Sequence, residues 1–65
     1  MRVRYLGESD PLMLLHDKVY DVMKEEDHGR AGIWYRIIDE TGEDYIYPAE
    51  GFEIVSDSHA KSYVT

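Results

Sequence analysis

The chain has no cysteine among its 65 residues. Neither a disulfide nor a thiolate metal site can reinforce it, so apolar packing and sheet hydrogen bonds must hold the fold. A cysteine-free composition fits a reducing compartment, and the expected location is the cytoplasm. Long apolar runs are also missing. Met1-Arg2-Val3-Arg4-Tyr5 leads into no secretory core, and no stretch approaches the roughly 20 apolar residues of a membrane span. Basic residues are scarce: 7 Lys and Arg stand against 14 Asp and Glu, giving a formal net charge of -7. A field of that sign repels phosphate backbones and disfavours nucleic acid, while it favours a positively charged partner. Only if Arg2, Arg4, Arg30 and Arg36 converged on one face would a nucleic-acid surface survive. The same charge also serves to keep a small domain soluble.

What the chain does have is aromatic side chains, with 6 Tyr, 1 Trp and 1 Phe. In a small domain such rings serve both as core and as binding surface. The length permits one domain, expected over residues 1–55, and folding at this size buries only about 60% of the unfolded surface. Residues 56–65 are polar without periodicity and read as a frayed tail.

Arg2 to Leu6 alternates charged and apolar residues and reads as a first strand, ended by the turn formers Gly7 to Pro11. Pro11 to Glu26 admits two readings. Leu12, Leu15, Val19 and Val22 recur at helical spacing behind an Asp10-Pro11 start signal. Lys18 to Met23, however, is β-branched and aromatic, with Tyr20 and Val22 alternating against Asp21, which favours a strand. Leu12 to Leu15 would then form a loop folded over one end of the sheet, because apolar runs do not sit comfortably in water. Lys24 to Gly32 reads as an exposed, mobile connection.

The clearest unit follows. Ile33 to Ile38 is a strand, Asp39-Glu40-Thr41-Gly42 a tight turn, and Tyr45-Ile46-Tyr47 the returning strand. A type I turn closed by Gly42 at positive φ makes a bulged hairpin. Pro48 to Gly51 is a short turn, expected as 3-10 helix, before Phe52 to Val55, where Phe52 and Ile54 are expected to face the core. Five short strands between turns predict an all-β small barrel, which removes sheet edges. The alternative is an α+β domain with a helix near 11–26.

Chemistry-bearing constellations are sparse. His16, His28 and His59 are scattered over three segments. Glu25-Glu26-Asp27-His28 lacks the glycine-turned loop that makes calcium binding specific, and no serine stands at a recognisable spacing from a histidine. No cofactor, metal or enzymatic activity is implied. The remaining candidate is an aromatic surface of Trp34, Tyr35, Tyr45 and Tyr47 rimmed by Glu43, Asp44 and Glu50. Strand alternation puts Trp34 with Arg36 on one face and Tyr35 with Ile37 on the other, so Trp34 is the surface candidate and Tyr35 the core one. The competing reading has Trp34 capping the barrel under the Leu12 to Leu15 loop.

In order and spacing, Gly32-Ile33-Trp34-Tyr35-Arg36, Thr41-Gly42, Tyr45-Ile46-Tyr47-Pro48 and Phe52-Glu53-Ile54-Val55 resemble the second half of a Src homology 3 domain. With Lys18-Val19-Tyr20-Asp21-Val22, the chain is also similar to short proteins of Gram-positive bacteria and their phages. The resemblance implies a five-stranded barrel with a 3-10 turn before the last strand. It further implies a peptide-binding groove built from Trp34 and Pro48, with Phe52 as a further contact; the aromatic surface adds Tyr45 and Tyr47, and its acidic rim favours a basic or proline-rich protein or peptide segment. The first half departs from the pattern: only Tyr5 stands where such domains carry a tyrosine-rich strand. The interval from Pro48 to Phe52 is one residue longer than usual, and phenylalanine offers no hydroxyl. A structural subunit of phage or prophage type that self-associates weakly through sheet edges or the Leu12 to Leu15 loop is the second functional expectation, against a monomeric binding module.

Overall fold

Alternation of charged and apolar side chains sets the first strand, and the same device recurs through the chain. The computed structural model describes residues 1–56, and within them every regular element is a strand or a short 3-10 turn. The strands are β1 (Arg2–Tyr5), β2 (Val19–Asp27), β3 (Ile33–Ile38), β4 (Asp44–Pro48) and β5 (Phe52–Ser56). The 3-10 turns span Gly29–Ala31 and Ala49–Gly51. All pairings are antiparallel, in the order β4-β3-β2-β1-β5.

One inward residue or more from each strand builds a single core: Val3, Tyr20, Tyr35 with Ile37, Tyr47 and Phe52, joined by Leu14 from the β1–β2 connection. Phe52 belongs to one end of the strand order and Tyr47 to the other, yet their rings lie 6.5 Å apart edge to face. The sheet is therefore folded back on itself. Tyr35 and Tyr5 complete the ring cluster around Phe52, at 5.8 and 5.5 Å. Bulky aromatics let a short chain enclose a core that aliphatic side chains of the same number would leave underfilled.

The strand reading of the second segment holds and the helix does not form. Asp10 accepts the Leu12 N–H through its carboxylate and the Met13 N–H through its carbonyl, His16 donates its N–H to the Ser9 hydroxyl, and Lys18 N–H closes on Leu15 C=O. These turns consume the donors a helix would have used. Of the loop leucines, Leu14 is fully buried at 1% exposure, whereas Leu12 stays 73% exposed. The loop thus plugs the sheet end with one side chain and not with the whole run.

Three details differ from the sequence reading. Lys24 to Asp27, expected as part of a mobile connection, continues β2 and pairs with Arg36, Tyr35, Trp34 and Ile33. Its polar character reflects a solvent-facing strand, of whose charges Glu26 binds Arg36 on β3 at 2.8 Å. A register shift between Val22 and Lys24 bends β2, so that its first half pairs with β1 and its second with β3. Ile54, expected in the core, is 57% exposed; it pairs with the buried Val3 but stands on an edge strand that no further strand covers. Finally, β4 and β5 are joined by the Ala49–Gly51 turn without a ladder between them, so two edges persist among the described residues. The tail expectation for 57–65 lies outside the described residues, while Ser56, placed in that tail, closes β5.

The hairpin turn forms as its residues require. Gly42 sits at φ 87°, its N–H donates to Asp39 C=O at 3.0 Å, and Asp39 N–H donates to Glu43 C=O at 2.9 Å. This is a type I turn closed by a left-handed residue.

Candidate functional site

Trp34 is the second residue of β3, half-buried, and lies directly across the ladder from Pro48 on one side and Glu26 on the other. Its indole N–H donates to Ala31 C=O at 2.8 Å, and the His28 ring meets it edge-on at 6.1 Å. The Gly29–Ala31 turn therefore fixes the ring over the outer face. Trp34 packs against this turn, away from the Leu12 to Leu15 loop, so it is not the cap of the sheet end. A groove of about 290 Å³ runs between Trp34, Pro48, Ala49 and Glu50, with Ala31 to Ile33 as its far wall. Aromatic, proline and carboxylate meet there on three different elements.

A second groove of about 540 Å³ lies on the other side of Pro48. Tyr45, Ile46, Tyr47 and Pro48 form one wall, Leu12 and Met13 the other, and Glu43 stands at its rim. Tyr45 is 52% exposed, with its hydroxyl 3.5 Å from Glu43. Neither Leu12, Met13 nor Ile46 was singled out as a site residue from sequence. The signal was present in the unbroken Leu12 to Leu15 run, but nothing in it said which side chains would remain outside.

The remaining sequence candidates divide. Tyr47 and Phe52 are core residues, in ring contact with each other and not with Trp34. Tyr47 shows only a margin to the second groove, because its hydroxyl is turned inward to donate to Asp39 at 3.0 Å. Of the acidic rim, Glu50 faces the Trp34 groove and Glu43 the Tyr45 groove, whereas Asp44 is held by Arg36 at 3.1 Å. The rim is thus two separate carboxylate positions flanking Pro48.

Buried polar groups organise the inner side of the same region. Asp39 is buried and accepts from the Thr41 N–H, the Thr41 hydroxyl and the Tyr47 hydroxyl. Those donors, Thr41 foremost, hold its carboxyl below the usual carboxylate range against the opposing effect of burial. Tyr20 donates to Glu40 at 2.7 Å and accepts the Leu15 N–H at 2.8 Å, tying loop, β2 and hairpin together. Burial, reinforced by Glu40, pushes the Tyr20 phenol up to about 12. The Lys18 ammonium bonded to Glu40 keeps that carboxyl low. These groups are mutually satisfied; no buried side-chain nitrogen or oxygen among the described residues lacks a partner.

Charge elsewhere is largely paired. Arg2 meets Asp21 at 3.3 Å, Arg4 meets Glu53 at 2.6 Å, and Arg36 bridges Glu26 and Asp44. Three of the four arginines considered for a basic face are thus answered by carboxylates within the sheet. No group of three or more His, Asp or Glu is placed to hold a metal ion among the described residues. No helix there is long and apolar enough to cross a membrane. Compared with protein-family models, curated proteins and solved structures, the chain matches none.

Proposed function

We propose that this chain is a small interaction module of Src homology 3-like type that binds a basic or proline-rich protein segment on the face around Trp34. The observation that carries the reading is the pairing of Trp34 with Pro48 across the β3–β4 ladder, with Glu50 on the same groove. A flat indole beside a rigid pyrrolidine offers stacking surface at little entropic cost, and a carboxylate at its edge selects Arg or Lys on the partner. The excess of 14 acidic over 7 basic residues steers such a partner toward the domain. Strand order, with the last strand beside the first and a 3-10 turn before it, supports the barrel assignment. A cysteine-free chain suits a reducing cytoplasm.

The test compares the protein with its Trp34→Ala variant for binding to an arginine-containing proline-rich peptide by isothermal titration. Loss of at least about tenfold in affinity, with the unfolding midpoint little changed, supports the reading. Equal affinity of the two proteins removes it.

A second reading, a subunit that self-associates through sheet edges, is favoured by β5. It closes the strand order, and Ile54 and Val55 are both exposed on it. Sedimentation across a concentration series separates the two, because a strict monomer contradicts self-association.

A further inference from the structure

The open edge of β4 has a geometry that goes beyond the Trp34 groove. Asp39 N–H donates to Glu43 C=O, which makes these two a hydrogen-bonded pair at the closed end of the hairpin. Bonded and unbonded pairs alternate along an antiparallel ladder. With the register Ile37 to Tyr45 and Tyr35 to Tyr47, those two tyrosines spend their backbone groups on β3. Asp44, Ile46 and Pro48 then direct theirs to the open side. Pro48 sits where no N–H is required of it, as edge prolines do.

The 540 Å³ groove follows this edge. Successive side chains of a strand point to opposite faces, so a groove walled by Tyr45, Ile46, Tyr47 and Pro48 together runs along the strand and not across one face. Leu12 and Met13 form its opposite wall, both exposed. Its charged groups are the carboxylates of Asp39 and Glu43, and no Lys or Arg lines it. Asp39 is already committed to Thr41 and Tyr47, which leaves Glu43 as the carboxylate facing a ligand.

We propose that the β4 edge accepts an extended segment of a partner protein as an added strand, one whose side chains alternate between apolar and basic. The segment exchanges both backbone hydrogen bonds with Ile46, lays an apolar side chain between Leu12, Met13 and Tyr45, and sets a Lys or Arg against Glu43. Pro48 ends the pairing and keeps the docked stretch short. A second copy of this chain is the wrong occupant of this groove, because neither open edge strand, Asp44–Pro48 or Phe52–Ser56, carries a Lys or Arg to set against Glu43.

The experiment is amide hydrogen exchange of the full chain by NMR, with and without a short synthetic peptide of alternating Lys and Val. In the free protein the Ile46 amide exchanges quickly while those of Tyr45 and Tyr47 are protected; with peptide, Ile46 slows about tenfold or more. Glu43→Lys leaves the backbone alone and weakens the effect, and Ile46→Pro, which removes the edge donor without touching the β3 ladder, lowers the affinity for the peptide in a titration roughly tenfold. Unchanged Ile46 exchange overturns the proposal, as does equal protection by a Glu and Val peptide. Protection of Ile46 that rises with protein concentration alone overturns it in favour of a second copy. The Trp34 indole reports separately: its movement with Ile46 silent leaves the Trp34 groove standing and removes only the edge site.

Discussion

The Tyr47 hydroxyl donates to the buried carboxylate of Asp39 across the inside of the β3–β4 hairpin, at 3.0 Å. Asp39 also takes both donors of Thr41, so one carboxylate shapes the turn and anchors the returning strand. Tyr47→Phe removes one of these donors and leaves the ring in place. The expected cost is about 1–2 kcal/mol, read as a lowered urea midpoint with unchanged slope.

The pH dependence follows from the same groups. Asp39, Glu40 and Glu26 have folded-state values held low, through Thr41, Lys18 and Arg36 respectively. A depressed carboxyl stabilises the fold at pH above its ordinary value, and that contribution is lost as pH falls through the folded value. Stability should therefore be flat near neutrality and decline below about pH 4. Asp39→Asn should lose less on acidification than the parent, measured as the difference in urea midpoint between pH 7 and pH 3.

Tyr20 carries the opposite sign. Its folded-state value of about 12 lies above the ordinary 10.0, so its contribution is complete below pH 10 and lost as pH rises through 12. Alkaline unfolding of the parent should track tyrosinate absorbance in that window. Tyr20→Phe should shift the alkaline transition, whereas a transition identical in both proteins would show that Tyr20 is not coupled to folding.

Leu14 and Leu12 stand two residues apart in one loop and should behave differently. Leu14→Ala empties a fully buried site and should cost about 2–5 kcal/mol. Leu12→Ala, at an exposed position, should stay within about 0.5 kcal/mol. Equal small effects would mean that the loop is not docked in solution.

Gly42 holds φ 87° with open space around the position of a Cβ. The cost of Gly42→Ala is thus conformational and not a clash, about 1–2 kcal/mol. Gly42→Asn should recover part of it, since asparagine enters the left-handed region more readily.

Legibility from sequence followed how local the determinants are. The hairpin with Gly42, the turn after Pro48, Tyr35 in the core and Trp34 toward solvent all rest on alternation and turn chemistry within a few residues, and they stand in the structure. Lys24 to Asp27 is a strand because it pairs with Ile33 to Arg36 on β3, a partner that a polar run alone does not announce. Ile54 stays exposed because β5 ends the strand order with no neighbour to cover it, and the periodicity of the strand does not announce its place in the sheet. Phe52 faces the core as its place in the last strand requires, so it is no groove contact, and Tyr47 looked like a groove residue but its ring lies inside the folded sheet beside Phe52. Asp39 read as a turn former and is also a buried acceptor, a role fixed by Tyr47 on the opposite strand.

For the proposed binding surface on the outer face joining Trp34, Pro48 and Glu50, the indole itself is the most direct probe. The measurement is the Trp34 Nε1–H resonance of the isotope-labelled chain during titration with an arginine-containing proline-rich peptide. A saturable shift of this resonance, accompanied by the Glu50 and Ala49 amides, is the expected result. An indole that stays fixed to millimolar peptide while the protein remains folded would contradict it.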